Sequence, residues 1–321
     1  MMSDAVSQDA LSGWGTREKA VEFPHSMNVS AYLMQRYKVP RQWFQDDIIY
    51  HYTDAPGLLG IVKERTFWAT KSSFLNDPTE NTHAFDVVRS HIAKLAKGSD
   101  ESALLAAAAL PRIARPETDL YVTSFCRNGD LLSQWRGYGA FGAGYALGFS
   151  FPLGRAPHIQ MAWLIEVLYN TGVLLQAVDE TFSIFEEYMS SAPRERDFEQ
   201  ALDLLPGSLN VLWMGFKNAA YVEEQEVRLL SDRSSKPEHR KRDAISFGKV
   251  HYRTSKSDLI PYLKIGMSFP EEQPPAHLPL KRVVVGPGVA CERNKEAIEQ
   301  LLTDEGYEGV EIVASAIPFI G

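Results

Sequence analysis

An imidazole near one end of the chain and a row of two carboxylates and a guanidinium near the other carry the chemistry legible in its residues. The run Ile-Ile-Tyr-His-Tyr-Thr at residues 48–53 has the make-up of a strand. Alternation puts Ile49, His51 and Thr53 on one face and Ile48, Tyr50 and Tyr52 on the other. His51 and Thr53 thus form a small polar station at the end of an apolar element. Much later, Glu224, Glu226 and Arg228 recur at every second position. On a strand over 221–230 all three share a face, while Val227 and Leu229 point into the core. Arg228 beside the acids holds Glu226 ionised and oriented. A fixed carboxylate of that kind stabilises positive charge developing on a bound group. The plain alternative is a solvated salt bridge, contributing at most about 1 kcal/mol. Pairing with the His51 station is what raises the row above that alternative.

Other motifs are weaker. Asn76-Asp77-Pro78-Thr79-Glu80 holds more polar chemistry than a turn needs. Gly137 to Gly142 matches G-x-G-x-x-G, but a dinucleotide fingerprint follows a strand and opens a helix. Here Trp135-Arg136 precedes the glycines and a strand-like alternation follows, so the segment reads as a loop. Trp135 and Tyr138 within it suit stacking on a planar ring, although loop aromatics more often anchor the loop to the core. Glu80 and His83 have the E-x-x-H spacing of a helical metal ligand pair, yet a di-metal bundle needs a second copy and further carboxylates. No metal is expected, and a hydrolase built on Asp77, Glu80 and His83 ranks last. Cys126 at a strand end reads as a small buried hydrophobe. The basic run from Arg233 to Arg242 has the charge to meet phosphates, but such loops are usually only solvated.

These groups need elements to hold them. Asp54-Ala55-Pro56 caps and opens a helix ending near Arg65, and Phe67 to Thr70 is the next strand. Helices are expected over 82–97, 101–109, 174–189, 198–205, 209–219 and 292–302 from apolar residues at spacings of three and four. Strands are expected over 120–126, 144–151, 165–169, 221–230, 249–253, 263–269, 283–285 and 310–317. In the second of these, the small face of Ala146, Gly148 and Ser150 lets a ligand or another backbone approach. Residues 1–45 read as a tail with an edge helix. Residues 46–321 read as one α+β (mixed α/β) domain, catalytic or binding, with helices inserted between strands.

Composition removes several classes of function. At 45% hydrophobic and 23% charged residues the chain is an ordinary globular protein. A net charge of −8 argues against bulk binding to nucleic acid or anionic membrane. Two distant cysteines, Cys126 and Cys291, suggest reduced thiols rather than a disulfide scaffold. No apolar run reaches the roughly 20 residues of a membrane span, and residues 1–16 lack the pattern of a targeting signal. Cytoplasm is the expected compartment.

The chain resembles a mostly bacterial, uncharacterised family, the domain-of-unknown-function 2971 group, from about Ile48 onward. The resemblance rests on His51-Tyr52-Thr53, Asn76-Asp77-Pro78 with Glu80, Ser124-Phe125, Trp135, Tyr138-Gly139, Gly144 with Phe149, Glu224, Glu226 and Arg228, Gly286-Pro287 and Ser315 to Pro318. A weaker resemblance, an early His on a strand and a late Glu on a strand, is to the ADP-ribosyltransferases. It implies a curved or split β-sheet core that holds NAD, the substrate, in a cleft. It further implies that His51 contacts the ribose, with Thr53 assisting, and that Tyr138 or Trp135 stacks on nicotinamide. Glu226 would stabilise the oxocarbenium-like centre formed as nicotinamide leaves, and Glu224 would complete a Glu-x-Glu pair. Tyr52, Asn76, Asp77, Ser124 and Arg228 join the expected binding set. A macromolecule is the expected acceptor if ADP-ribose is transferred. The competing expectation is a module that binds a nucleotide or partner in the same cleft without turnover.

Overall fold

The computed structural model describes residues 47–75, 78–113, 120–139, 143–151, 162–191, 195–232, 249–255, 258–267, 276–288 and 291–318. The expected tail at 1–45, the basic run, and Asn76 and Asp77 lie outside them.

Local chemistry sets the first unit. Strand β1 (Ile49–Thr53) runs into helix α1 (Ala55–Glu64), whose cap is Asp54 accepting from the Gly57 amide at 2.8 Å. Arg65 then turns left-handed at φ 54°, ending the helix and releasing the chain into β2 (Thr66–Lys71). Helices α2 (Pro78–Leu95) and α3 (Glu101–Ala109) follow, the second capped by Asp100 on the Ala103 amide. Glu80 therefore belongs to the first turn of α2 rather than to a loop, because Pro78 is tolerated at a helix start.

Next come β3 (Leu120–Cys126), α4 (Leu132–Gly137), β4 (Tyr145–Phe149), β5 (Ala162–Glu166), α5 (Thr171–Ser191) and α6 (Glu195–Met214). The short helix α4 replaces the loop expected around Trp135. Helix α6 continues through Pro206, where two helices were expected. Strand β6 (Glu226–Asp232) begins later than anticipated. Residues Ala219–Glu224 form a 3-10 helix instead, and Gln225 at φ 41° switches the chain into the strand. The chain closes with β7 (His251–Ser255), β8 (Asp258–Gly266), β9 (Leu280–Val285), α7 (Cys291–Asp304) and β10 (Glu311–Ala314).

The ten strands form one open, mixed sheet in the order β10-β9-β4-β1-β3-β2-β8-β7, with β6 on β3 and β5 on β6. Only β9 and β10 run parallel among these pairs. Strand β3 is the branch point. It pairs with β6 along its whole length, Leu120 to Cys126. A strand has two edges, so β1 (at Cys126) and β2 (at Tyr121 and Val122) must share the other one. Thr123, Ser124 and Phe125 between them have no strand partner on that edge. The sheet parts there.

Both faces are covered. On one, α1 and α7 contribute Leu58, Ile61, Val62, Ile298 and Leu302 to a core with Ile49, Phe67, Phe125, Val227 and Leu229. On the other, α2, α3, α5 and α6 pack over Leu120, Val122, Ile165 and Leu230. Beside that layer, Trp135 of α4 packs with Tyr50, Tyr52 and Ala146. The two packings of this second face leave an indentation between them, next to the place where β1 and β2 separate.

Candidate functional site

The indentation is a cleft of about 70 Å³ lined by Tyr50, His51, Tyr52, Ser124, Phe125, Cys126, Gln134, Tyr138, Lys217, Glu224 and Glu226. Register explains how it is built. Tyr50 stands opposite Cys126, Cys126 opposite Glu226, and Ser124 opposite Arg228. These residues therefore share one face of the sheet. Alternation assigns His51 to the other face, where its ring meets Phe125 edge-on at 5.9 Å. It reaches the cleft because the sheet is open at that point. The ring Nδ1 lies 2.9 Å from the Ser124 carbonyl, taking the backbone acceptor that no neighbouring strand uses. A carbonyl only accepts, so Nδ1 carries the proton. Burial lowers the pKa of His51, the Ser124 bond opposes this, and Arg253 lowers it further. The neutral ring leaves Nε2 as an acceptor, with no partner among the described residues.

Opposite His51 sits a buried charge network. Arg228 grips Glu226 side-on, Nε to Oε1 and Nη2 to Oε2, both at 2.9 Å, and donates from Nη1 to the Met214 carbonyl at 2.6 Å. Lys217 Nζ bridges the acids, 3.1 Å from Glu226 Oε2 and 2.6 Å from Glu224 Oε2. All four residues are buried. Burial alone would raise the pKa of Glu226. The charge and hydrogen bonds of Arg228, helped by Lys217 and the Ser124 side chain, outweigh it and pull the carboxyl down to about 2. Two cations against two carboxylates leave the network close to neutral, which is how such charges persist away from water. Glu226 has both oxygens engaged. Glu224 has its Oε1 without a partner among the described residues.

Glu224 arrives from a different element than anticipated. It ends the 3-10 helix, and the left-handed Gln225 returns it to the side of Glu226 and Arg228. Its carbonyl accepts from the Cys126 thiol at 2.9 Å, and the Tyr169 hydroxyl accepts from the Glu226 amide at 2.8 Å. Burial pushes the Cys126 thiol well up, so this cysteine is an inert donor rather than a nucleophile.

Lys217 is the residue that sequence reasoning missed. It follows the apolar end of α6, and backbone bonds between Leu168 and both Gly215 and Lys217 fix it in place. Its ammonium lies 4.8 Å from the centre of the Tyr221 ring. The only signal was a lone cation after the run Leu-Trp-Met-Gly-Phe, which on its own reads as the end of a helix.

Of the other anticipated residues, Tyr52, Ser124 and Tyr138 line the cleft and Arg228 stands directly behind it. Thr53 and Trp135 are not among the lining residues. Trp135 is fully buried, edge-on to Tyr52, and donates from Nε1 to Asp130 at 2.7 Å. That places its ring in the core rather than against a ligand. Asp130 also holds the C-terminal strap, receiving the Ser315 hydroxyl at 2.5 Å and the Ala316 amide at 2.7 Å. The small face of β4 is filled from within, since Gly148 lies against the Tyr50 ring and Ile48.

With this geometry in hand, comparison with known families is informative. Residues 134–229 match the model of a family described as "Protein of unknown function (DUF2971)". That stretch is similar to DUF2971. No curated protein and no solved structure matches the chain. The DUF2971 segment runs from α4 into β6 and supplies Gln134, Tyr138, Lys217, Glu224, Glu226 and Arg228. The match is shorter than the span from Ile48 onward that the resemblance implied, and His51, Tyr52 and Ser124 precede it. Five of the eleven lining residues thus come from within the matched segment and six from outside it.

Proposed function

We propose that the cleft takes the nicotinamide-ribose end of NAD and that the chain is an ADP-ribosyltransferase or NAD glycohydrolase. The observation that carries this reading is the meeting of His51, Tyr138 and the Glu224–Glu226 pair at one cleft where the sheet parts. On this reading His51 Nε2 accepts a ribose hydroxyl, and Tyr138 covers the ring. The acid pair faces the positive charge that builds as the glycosidic bond breaks. A well-placed electrostatic group of this kind supplies on the order of 3 kcal/mol. Glu224, with one oxygen unengaged, faces the ligand, and Glu226 fixes Lys217 and Arg228 behind it. The described cleft, at about 70 Å³, is too small for a whole dinucleotide and meets one end of it.

The test is nicotinamide release from NAD, with and without cell extract as acceptor. Release by the wild type, lost in Glu224→Gln and Glu226→Gln while circular dichroism shows both folded, upholds the reading. No release under either condition contradicts it.

The charge balance of the network favours a second reading, a binding module without turnover. Lys217 and Arg228 already neutralise both acids, which weakens their pull on a developing cation. Thermal stabilisation by NAD or ADP-ribose with no product formed would select this reading.

A further inference from the structure

Arg228, behind the cleft, and Arg253, on β7, differ in one respect. Arg228 has its Nε/Nη2 edge filled by a carboxylate. Arg253, on β7, has Nη2 on the Thr70 hydroxyl at 3.0 Å, while its Nε–H is closed off from solvent and has no acceptor. No carboxylate lies within ion-pair distance of it among the described residues. Leaving one charged donor of a guanidinium unmatched is costly, and the paired terminal nitrogens of an arginine are shaped for two oxygens of one oxyanion.

Direction comes from the sheet. Arg253 faces the same side as His251, and His251 stands opposite Tyr262, which stands opposite Thr70. Thr70 in turn stands opposite Val122 on the face that carries Ser124, Cys126 and Glu226. Thr70 belongs to β2, two strands inward from β7, so the side chain lies across β8 with its guanidinium turned toward the place where β2 and β1 separate. The charges of two neighbours fit this position: Arg253 lowers the pKa of His51, and Asp54 at the end of β1 raises that of Arg253 against its burial. Asp54 itself is occupied in capping α1. Arg253 is only partly buried, so a group entering the gap meets its terminal nitrogens, while the Nε–H stays sealed behind them.

We infer that Arg253, with Thr70, is the anchor for a phosphate oxyanion of the ligand, at the far end of the opening from Glu224 and Glu226. The ligand class this defines has an anionic group at one end and a ring bearing a positive or hydrogen-bond-donating centre at the other. The inference rests on the proposed NAD reading only for the identity of that second end, and it needs no turnover.

The experiment is titration calorimetry of the full chain with inorganic pyrophosphate, ADP-ribose and adenosine. Pyrophosphate and ADP-ribose should bind the wild type, and Arg253→Gln should weaken both about tenfold or more, as loss of a charge-assisted bond does. Adenosine should bind the variant and the wild type alike. ADP-ribose binding more tightly than pyrophosphate assigns the oxyanion to a nucleotide, and equal affinities assign it to a free anion; both uphold the anchor. In the unaltered protein, the Arg253 Nε–H resonance should move on adding pyrophosphate, a readout independent of how well the variant folds. Unchanged affinity in Arg253→Gln, or a resonance that stays fixed at saturating pyrophosphate, overturns the inference. No nicotinamide release from a wild type that binds pyrophosphate would count against the NAD reading alone.

Discussion

At the scale of single residues, Lys217 decides the energetics of the cleft. It is the bridge that lets Glu224 and Glu226 lie close together in a buried place. Lys217→Met strands two carboxylates beside one arginine, and breaking a buried ion network in this way costs about 3–5 kcal/mol. Urea unfolding should show that loss, and adding Glu224→Gln should recover part of it, because the double variant restores the charge balance. His51 gives a separate, pH-linked signature. Its folded pKa lies below the ordinary 6.5, so below that pH the unfolded chain takes up a proton that the folded one refuses. Its contribution is complete above about pH 6.5 and declines as the pH falls through that value. A His51→Gln variant should lose this part of the pH dependence while keeping the steeper loss at lower pH. That lower loss belongs to Glu226. Its depressed folded pKa gives stability present above the unfolded value of 4.5 and lost as the pH falls toward about 2.

At the scale of elements, the site depends on chain segments approaching closely. A side chain on Gly144 would place its Cβ 2.4 Å from the Thr53 carbonyl oxygen and 2.8 Å from the Gly139 backbone. Gly144→Ala must therefore push the start of β4 away from β1 and the turn after α4. A loss of about 1–3 kcal/mol is expected in thermal or urea unfolding, together with weaker ligand binding through displacement of Tyr138.

Elements also show where the sequence was legible. The Asp54 cap, the apolar spacing of α1, and the β-branched and aromatic runs of β1 to β3 are local signals, and each element lies where those signals put it. The row Glu224, Glu226 and Arg228 was read one element too simply. Alternation holds for Glu226 and Arg228, but Glu224 leaves the strand through a left-handed Gln225, a conformation that no glycine announces. Trp135, beside the glycines, reads both as a stacking candidate alongside Tyr138 and as an anchor of its loop to the core. The Tyr52 ring against it, and Ser315 behind its acceptor Asp130, come from other parts of the chain. Lys217 and Arg253 were illegible for the same reason. Each matters through what the register brings beside it.

At the scale of the molecule, branching of the sheet at β3 is the feature on which the candidate site turns. One strand carries β6 along one edge and both β1 and β2 along the other, leaving a short open edge that His51 fills with its side chain. No helix among the described residues is long and apolar enough to cross a membrane. Helical layers cover both faces of the sheet, and the cleft opens where two packings on one face stop short of each other. The acid network and the histidine meet this opening from different parts of the chain. Its geometry is thus a property of the whole sheet rather than of any one motif.

The most direct test of the account is incubation of the purified chain with NAD, followed by chromatographic measurement of free nicotinamide. The account predicts nicotinamide from the wild type and at least a hundredfold less from Glu224→Gln, on the scale of losing one charge-stabilising group. It would be contradicted if the wild type released none, with or without cell extract as acceptor.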